Sequence, residues 1–508
     1  MVLIHEFLEH SADRLPDKVA LVYNEQHLTY AEIEAQVNRF ANALKAQGVE
    51  RGDRVALYLP NCIELAIGIF ATLKAGGVFV PINHTTKYDK CAYILNNCQA
   101  RVFITSGTQV ELAGKLRQVV RSLKTVVLTS PLNETDAGNF LSYAAIQCDY
   151  SEQRPLAVNI DLDIACLIYT SGSTGEPKGV MSDHNNVVFA ADSIIKYLGN
   201  IETDIVIGLL PLSFDYGLYQ LFMVFMLGAT LVLEKGFTYP AAILKRIEEE
   251  RVTGFPGVPT IYSMLVKMDL SPYDLSSLRY LTNTAAALPP SHIAEICSKF
   301  PWAKLFSMYG LTETKRTLYL PPEQLDKRPS SVGIAIPGTE VWIEDEEGQR
   351  LNPGEIGELV VRGRHVMRGY WKDPNKTAER FRPGLIPGER LCYTGDLFRM
   401  DEEGFMYFVA RKDDIIKSRG EKVAPKEVEN VLYSLVGIRE AAVIGVSDPV
   451  LGQAVKAFVM VDGVALTEAD ILRHCRAHLE DFMVPKQVEF CTELPKTSTG
   501  KIKKTDLT

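Results

Sequence analysis

Residues 170–179 read Thr170-Ser171-Gly172-Ser173-Thr174-Gly175-Glu176-Pro177-Lys178-Gly179. Glycine lets a backbone turn tightly and bring its N–H groups close to an anion. The hydroxyls of Thr170, Ser171, Ser173 and Thr174 add donors, and Lys178 adds a full positive charge. These residue types in this order describe a cradle for phosphate. It differs from a Walker A loop, because Gly175 is followed by Glu-Pro-Lys-Gly and not by Gly-Lys-Ser/Thr. The apolar run Ala165-Cys166-Leu167-Ile168-Tyr169 predicts a buried strand before the loop, and a helix is expected after Gly179.

Four other clusters accompany the loop: Tyr309-Gly310-Leu311-Thr312-Glu313, Tyr393-Thr394-Gly395-Asp396, Arg411-Lys412-Asp413-Asp414 and Pro495-Lys496-Thr497-Ser498-Thr499-Gly500-Lys501. In order and spacing the five resemble the motifs of the AMP-forming adenylate enzymes, which include acyl-CoA synthetases, nonribosomal peptide adenylation domains and luciferases. The resemblance runs from the first third of the chain to its last residues. Such enzymes solve a charge problem. A carboxylate must approach the α-phosphate of ATP while pyrophosphate leaves, so the site needs cations and oriented donors.

The resemblance implies ATP and Mg²⁺ as cofactors and assigns roles to particular residues. Thr170, Ser171, Gly172, Ser173, Thr174, Gly175 and Lys178 would surround the phosphates. Tyr309 would stack on adenine and Asp396 would accept hydrogen bonds from the ribose hydroxyls, as its two oxygens permit. Arg411 would reach ribose or phosphate. Thr312 and Glu313 would be catalytic, with Glu313 also holding the metal, a hard cation suited to a carboxylate beside phosphate. Lys501 would bridge the substrate carboxylate and the α-phosphate. Asp413 would be a hinge, and Gly420 would line the tunnel for a thiol arm.

The substrate clue is Leu212-Ser213-Phe214-Asp215-Tyr216-Gly217-Leu218-Tyr219. Amino-acid adenylation domains carry Phe-Asp here, the aspartate pairing with the substrate ammonium, whereas many fatty and aryl acyl-CoA ligases carry a histidine-containing motif. Asp215, Tyr216 and Tyr219 are therefore expected to bind substrate. A carboxylate in apolar surroundings is costly without a cation, and an amino acid would bring one. The alternative is that Asp215 caps a helix starting at Tyr216. The stretch, with Lys315-Arg316 and Tyr319-Leu320-Pro321-Pro322, is similar to free-standing enzymes that load proline onto a peptidyl carrier protein.

The expectation is an amino acid, proline first, converted to aminoacyl-AMP and passed to the phosphopantetheine thiol of a carrier protein. No carrier segment follows Lys501, so the carrier is expected to be a separate protein. The alternative is an acyl-CoA ligase using a fatty or aryl acid and free CoA. Two positions depart from the family pattern: Ala410 stands where glycine is common, and Thr284-Ala285-Ala286-Ala287 replaces a glycine-richer segment.

These clusters need a large scaffold, and 508 residues suffice for about three units. With 46% hydrophobic and 23% charged residues the composition is globular, and the net charge of -9 argues against a general nucleic-acid binder. The nine cysteines form no Cys-x-x-Cys pair, so buried single thiols are expected. The start lacks a secretory signal, and the apolar stretch 221–233 falls short of a membrane span, giving a cytoplasmic expectation.

Apolar runs alternating with amphipathic helices to about residue 310 predict an α/β protein with helix-covered sheets. Short strand-like runs from Val332 predict a small β-rich subdomain over about 332–410. Beyond it, Val428, Val431, Leu432 and Leu435 are expected on one helix face, followed by strands and another helix. The resemblance implies the matching division, a core at 1–410 and a mobile α+β lid at 411–508.

Overall fold

The computed structural model describes residues 2–130, 140–171, 176–284, 288–418, 421–448, 452–463, 465–497 and 502–507. Its architecture is mixed α/β, and the described strands form four sheets. The eight-stranded first sheet has a parallel centre, with Arg54–Tyr58 between Val78–Pro81 and Val102–Thr105. Helices cover it, so strands such as Val102–Thr105 are buried throughout and read as continuous apolar text.

The helices start and stop where their caps dictate. Glu32 N–H donates to Thr29 Oγ1 at 3.2 Å while Thr29 N–H donates to the Glu32 carboxylate at 2.8 Å, opening the helix Tyr30–Ala46. The helix Ile63–Lys74 is buried on every side. Its Phe70 stacks on Phe225, ring centroids 5.2 Å apart. Lys74, at its end, is held by Glu34 at 2.6 Å and Glu9 at 3.0 Å, since a buried ammonium needs carboxylate partners.

The second sheet has nine strands, running from Gln26–Thr29 at one edge to Ile334–Ala335 at the other. A continuous apolar core joins it to the first sheet. Among the described residues no helix is long and apolar enough to cross a membrane.

Ten elements matter for the site: β1 (Ile164–Ser171), β2 (Pro177–Asp183), α1 (His184–Leu198), α2 (Asp215–Leu227), β3 (Lys304–Tyr309), β4 (Leu318–Leu320), α3 (Pro374–Arg380), β5 (Arg390–Met400), β6 (Met406–Arg411) and α4 (Pro425–Tyr433). The helix expected after Gly179 is α1, and it starts only at His184. Residues 177–183 are β2, antiparallel to β1 with Thr170 opposite Lys178. Gly369–Tyr370 pairs with its other side, so both faces of its backbone ladder are used. Strand pairing wins, and α1 waits for Asp183, whose side chain accepts from Asn186 N–H at 2.6 Å.

The third sheet contains Thr339–Glu344, Ile356–Gly363, Phe381–Pro383, β5 and β6. A 3-10 turn, Lys412–Asp414, separates it from the fourth. That sheet, built from residues 416–490, packs with α4 and the helix Glu468–His478 around a separate apolar cluster. The expected helix face is shorter than its spacing suggested. α4 ends at Tyr433, and Leu435 packs on the cluster from a following turn in which its N–H donates to Leu432 O.

Candidate active site

β1 and β2 flank the Gly-rich segment and pair through Ser171 and Pro177, while Gly172, Ser173, Thr174, Gly175 and the Ser171 side chain lie outside the described residues. Lys178, on the returning strand, places its ammonium 5.7 Å from the centroid of the Tyr370 ring. The Tyr370 hydroxyl donates to Glu313 Oε1 at 2.6 Å, and burial followed by that carboxylate raises the Tyr370 pKa. Lys178, Tyr370 and Glu313 thus stand in sequence, two cluster residues joined through an aromatic residue that motif reading passed over.

Arg380, at the end of α3, is a second residue that motif reading missed. Burial works against its charge, yet Glu313, Cys392, Tyr370 and Asp396 around it hold its pKa above the ordinary guanidinium value. Gly395 makes the room: a Cβ there would lie 2.4 Å from Arg380 Nη1, and its φ of +67° suits glycine. The text around Arg380 is ordinary helical sequence, so its role is visible only once β5 lies beside it.

The adenosine-type cluster also comes together. The Tyr309 hydroxyl donates to Asp396 Oδ2 at 2.6 Å, and Arg411 Nε lies 3.6 Å from Asp396 Oδ1. Asp396 sits opposite Arg411 in the β5–β6 register, which brings residues from two clusters into one pair. Phe398 meets Tyr309 edge-on at 4.9 Å between centroids. A cavity of about 250 Å³ opens here, lined by Thr284, Tyr309, Gly310, Asp396 and Arg411. Its opposite wall comes from residues past the 3-10 turn, including Lys426, Lys496 and Lys504. Burial lowers the Lys426 pKa, while Lys504 pairs with Glu429 at 2.6 Å and Lys496 with Glu440 at 2.7 Å.

Lys501 and Gly420 lie outside the described residues, as do Ala285, Ala286 and Ala287. Their flanks are described. Lys496 bridges Ile502 across an antiparallel contact, and Ser418 pairs with Glu421. Asp413 is in the 3-10 turn between the last two sheets. Among the described residues no three His, Cys, Asp or Glu side chains gather as metal ligands. Glu313, whose carboxylate lies beside Tyr370 and near Lys178, is the residue that would hold a Mg²⁺ ion, one carboxylate plus phosphate oxygens and water being a set that suits this hard cation.

The largest departure from expectation concerns Asp215. Its cation is supplied by the chain. Lys315 Nζ donates to Asp215 Oδ1 at 2.9 Å, with both side chains buried. The helix α2 begins at Asp215 with Phe214 in the capping position, and the Asp215 side chain makes no cap. The ammonium expected from a substrate is thus already present, and the capping alternative is excluded.

Beside the pair, the Arg316 guanidinium lies 4.5 Å from the centroid of the Tyr216 ring, and Tyr216 donates to Thr282 O at 2.7 Å. The turn that delivers Lys315 is tight. Thr317 N–H donates to Tyr309 O at 2.9 Å, and Lys315 takes a φ of +58°. For a residue with a Cβ this costs about 1–3 kcal/mol, so the surroundings must hold it. Sequence reasoning had one signal for the pair: two adjacent cations flanking an apolar strand need a buried acid, and Asp215 lies in equally apolar text.

Comparison with known proteins agrees with this geometry. The AMP-binding enzyme family matches residues 8–371, and the AMP-binding enzyme C-terminal domain matches residues 427–501. A long-chain-fatty-acid–CoA ligase of Bacillus subtilis is 34% identical over 98% of this chain and 93% of its own length. Tyrocidine synthase 3 of Brevibacillus parabrevis is 30% identical over 98% of this chain, which corresponds to 8% of that much longer protein. Among solved structures, the anthranilate CoA ligase AuaEII in complex with anthranoyl-AMP superposes with a TM-score of 0.91 at 29% identity, covering 99% of this chain and 96% of that one. With Tyr309, Asp396 and Arg411 brought to one cavity and both family domains matched, this chain belongs to the AMP-binding enzyme family and is an ATP-using, AMP-forming ligase.

Proposed function

We propose that the chain activates an amino acid, proline first, as its aminoacyl-AMP and then transfers the aminoacyl group to the phosphopantetheine thiol of a separate carrier protein. In the first step a carboxylate oxygen attacks the α-phosphorus of ATP and pyrophosphate leaves. Lys178 and the N–H groups of the Gly-rich segment hold the leaving phosphates, and Arg380 adds a cation behind them. Tyr309 packs on adenine, Asp396 accepts from the ribose hydroxyls, and Arg411 lies over ribose or phosphate. Thr312 donates to phosphate oxygen and Glu313 offers its free oxygen to Mg²⁺, which would neutralise phosphate charge. Lys501 bridges carboxylate and α-phosphate.

In the second step the thiol sulfur attacks the acyl carbon and AMP leaves. The core, residues 1–410 with a β-rich part at about 332–410, would stay fixed. The unit 411–508 would turn about Asp413 and bring Gly420 to the thiol arm.

The observation supporting an amino-acid substrate is the second oxygen of Asp215. It is buried and has no hydrogen-bond partner, although the first is taken by Lys315. A buried lone acceptor beside the nucleotide turn suits a substrate N–H. A second reading has its own support. Lys315 already balances Asp215, so a plain fatty or aryl acid with free CoA as acceptor would leave the aspartate no worse placed, and the B. subtilis relative is named for that chemistry.

ATP–pyrophosphate exchange across the amino acids and a set of fatty and aryl acids separates the two. Exchange with proline or another amino acid supports the first reading, and exchange with plain acids alone overturns it. Lys501→Ala should slow exchange roughly 10²–10³-fold, by comparison with loss of one oxyanion donor.

A further inference from the structure

The connection between Phe381–Pro383 and β5 presents two large aliphatic side chains to solvent. Leu385 is 95% exposed and Ile386 is 57% exposed. The loop that carries them is tightly built. Gly384 N–H donates to Glu389 O at 3.1 Å, and Glu389 N–H donates to Ile386 O at 2.9 Å. The Glu389 carboxylate accepts from Ile386 N–H at 3.3 Å and from Arg362 Nε at 2.5 Å, which fastens the loop to the strand Ile356–Gly363. Arg362 also holds the Glu389 pKa below its ordinary value, so this fastening is an ion pair at neutral pH. The chain thus spends polar contacts on holding an apolar tip in water, where the folded protein gains no burial from it.

The surroundings of the tip are basic, although the whole chain carries a net charge of -9. A polar cleft of about 700 Å³ opens beside it, lined by Gly388, Glu389, Arg362, Arg364, Arg368 and Arg390. Its carboxylates, Asp183, Glu340 and Glu389, are each engaged by Arg362 or Arg368. Arg364 and Arg390 meet neutral oxygens instead, Asn185 Oδ1 and Arg368 O. Arg382 lies 3.9 Å from the centroid of the Tyr393 ring. Among the described residues these three guanidiniums have only neutral partners. Arg382 sits opposite Leu391 and Arg390 opposite Pro383, so the two leave successive rows and flank the tip on opposite faces.

A partner for this surface must offer an apolar phase and anionic groups within the reach of one loop. An anionic bilayer offers both at every point. Leu385 and Ile386 are consecutive and direct their side chains apart, so a fluid apolar phase receives both where a rigid groove is shaped for one. We propose that the loop 384–389 is a peripheral membrane anchor, with Leu385 and Ile386 entering the acyl region of an anionic lipid surface and Arg364, Arg382 and Arg390 meeting its headgroup phosphates. A short apolar anchor binds only marginally, and a basic patch supplies the second signal. No residue of this loop lines the nucleotide cavity, so the anchor gives the ligase a location and leaves its chemistry alone.

The test is co-sedimentation of the full chain with vesicles of phosphatidylcholine alone or mixed with an equal part of phosphatidylglycerol. The wild type should bind the mixed vesicles and not the neutral ones, and raised salt should weaken that binding. Leu385→Ser combined with Ile386→Ser should lower the partition coefficient roughly a hundred-fold, about ten-fold for each side chain withdrawn from the apolar phase. Arg364→Gln and Arg390→Gln should each lower it roughly five-fold. Pyrophosphate exchange without vesicles should be the same in all these variants.

Absence of wild-type binding to the mixed vesicles overturns the proposal, and so does equal binding to both kinds. Binding that survives the double serine change overturns it as well. If that variant loses exchange, the two arginine variants decide alone, and undiminished binding in both overturns the proposal. Self-association of the wild type that the double serine change abolishes, without vesicle binding, assigns the tip to a second copy of this chain and overturns the membrane anchor.

Discussion

The Asp215–Lys315 pair changes how the most obvious mutation must be read. Truncating Asp215 to alanine would ordinarily be scored as loss of a substrate contact. Here it also strands a lysine whose side chain is 1% exposed. At 2.9 Å the attraction is about 6 kcal/mol for an effective dielectric near 20, before the desolvation of both groups is subtracted. Removing one partner of such a pair costs about 3–5 kcal/mol, whereas replacing both with apolar groups of similar size is often near neutral. Arg316, stacked close by on Tyr216, would add a second uncompensated cation.

Asp215→Ala should therefore lose about 3–5 kcal/mol in the first urea unfolding transition, and Lys315→Met should also lose stability. The double variant should be more stable than the sum of the two, with a coupling energy of about 2–3 kcal/mol in a double-mutant cycle. Urea unfolding followed by fluorescence, with free nucleotide absent, reads this directly. A coupling energy near zero, or an Asp215→Ala protein as stable as wild type, would refute the buried-pair reasoning. The cycle also protects the functional test, because activity lost in Asp215→Ala but regained in the double variant is a stability effect.

Three further outcomes follow from the geometry. Gly310→Ala forces a Cβ to 2.2 Å from backbone oxygen, which cannot yield as a flexible side chain would, so it should destabilise by about 1–3 kcal/mol and raise KM for the carboxylate substrate; unaltered melting and kinetics would count against the tight turn. Tyr309→Phe deletes a charge-assisted hydrogen bond to Asp396, 2.6 Å long, and should weaken AMP binding in calorimetry by about 1.5–3 kcal/mol. The third outcome concerns acid stability. Burial, and then His5, lower the His184 pKa to about 3, and its Nδ1 accepts from Ile4 N–H at 3.1 Å, a bond that protonation would end. The unfolded chain binds this proton below about pH 6.5 and the folded one does not. Stability should thus fall on acidification from pH 6.5 towards 3, by about 1.4 kcal/mol per pH unit for this group, and urea midpoints of His184→Leu should show a shallower slope.

What the chain revealed in advance, and what it withheld, divides along the range of the interaction. The capping box at Thr29 and Glu32 involves residues three apart, so local sequence alone specifies it. The strand before the Gly-rich loop was legible because apolar runs flanked by turn residues are a local signal. The helix expected after Gly179 forms, but only from His184, because β1 and the distant Gly369–Tyr370 claim the intervening backbone. Asp215 and Lys315 are 100 positions apart, and no spacing rule connects them. Tyr370 and Arg380 were invisible for the same reason: each acquires meaning only when the fold sets it beside Glu313 or Asp396, which are distant in sequence.

The backbone explains why the two halves of the site respond together. The Thr-Glu turn runs directly from Tyr309, which holds Asp396, through Glu313, which holds Tyr370, to Lys315, which holds Asp215. Within seven residues it ties the third sheet, the strands flanking the Gly-rich segment and α2 to one segment. Its closing contact, Thr317 N–H to Tyr309 O at 2.9 Å, and its left-handed lysine leave little freedom to move one end alone. A substrate that alters the Asp215–Lys315 pair therefore pulls on the same turn that orients the groups around the nucleotide. Binding of AMP to a folded Lys315→Met variant tests this, and the expected result is a measurably altered affinity although no atom of Lys315 lines the nucleotide cavity.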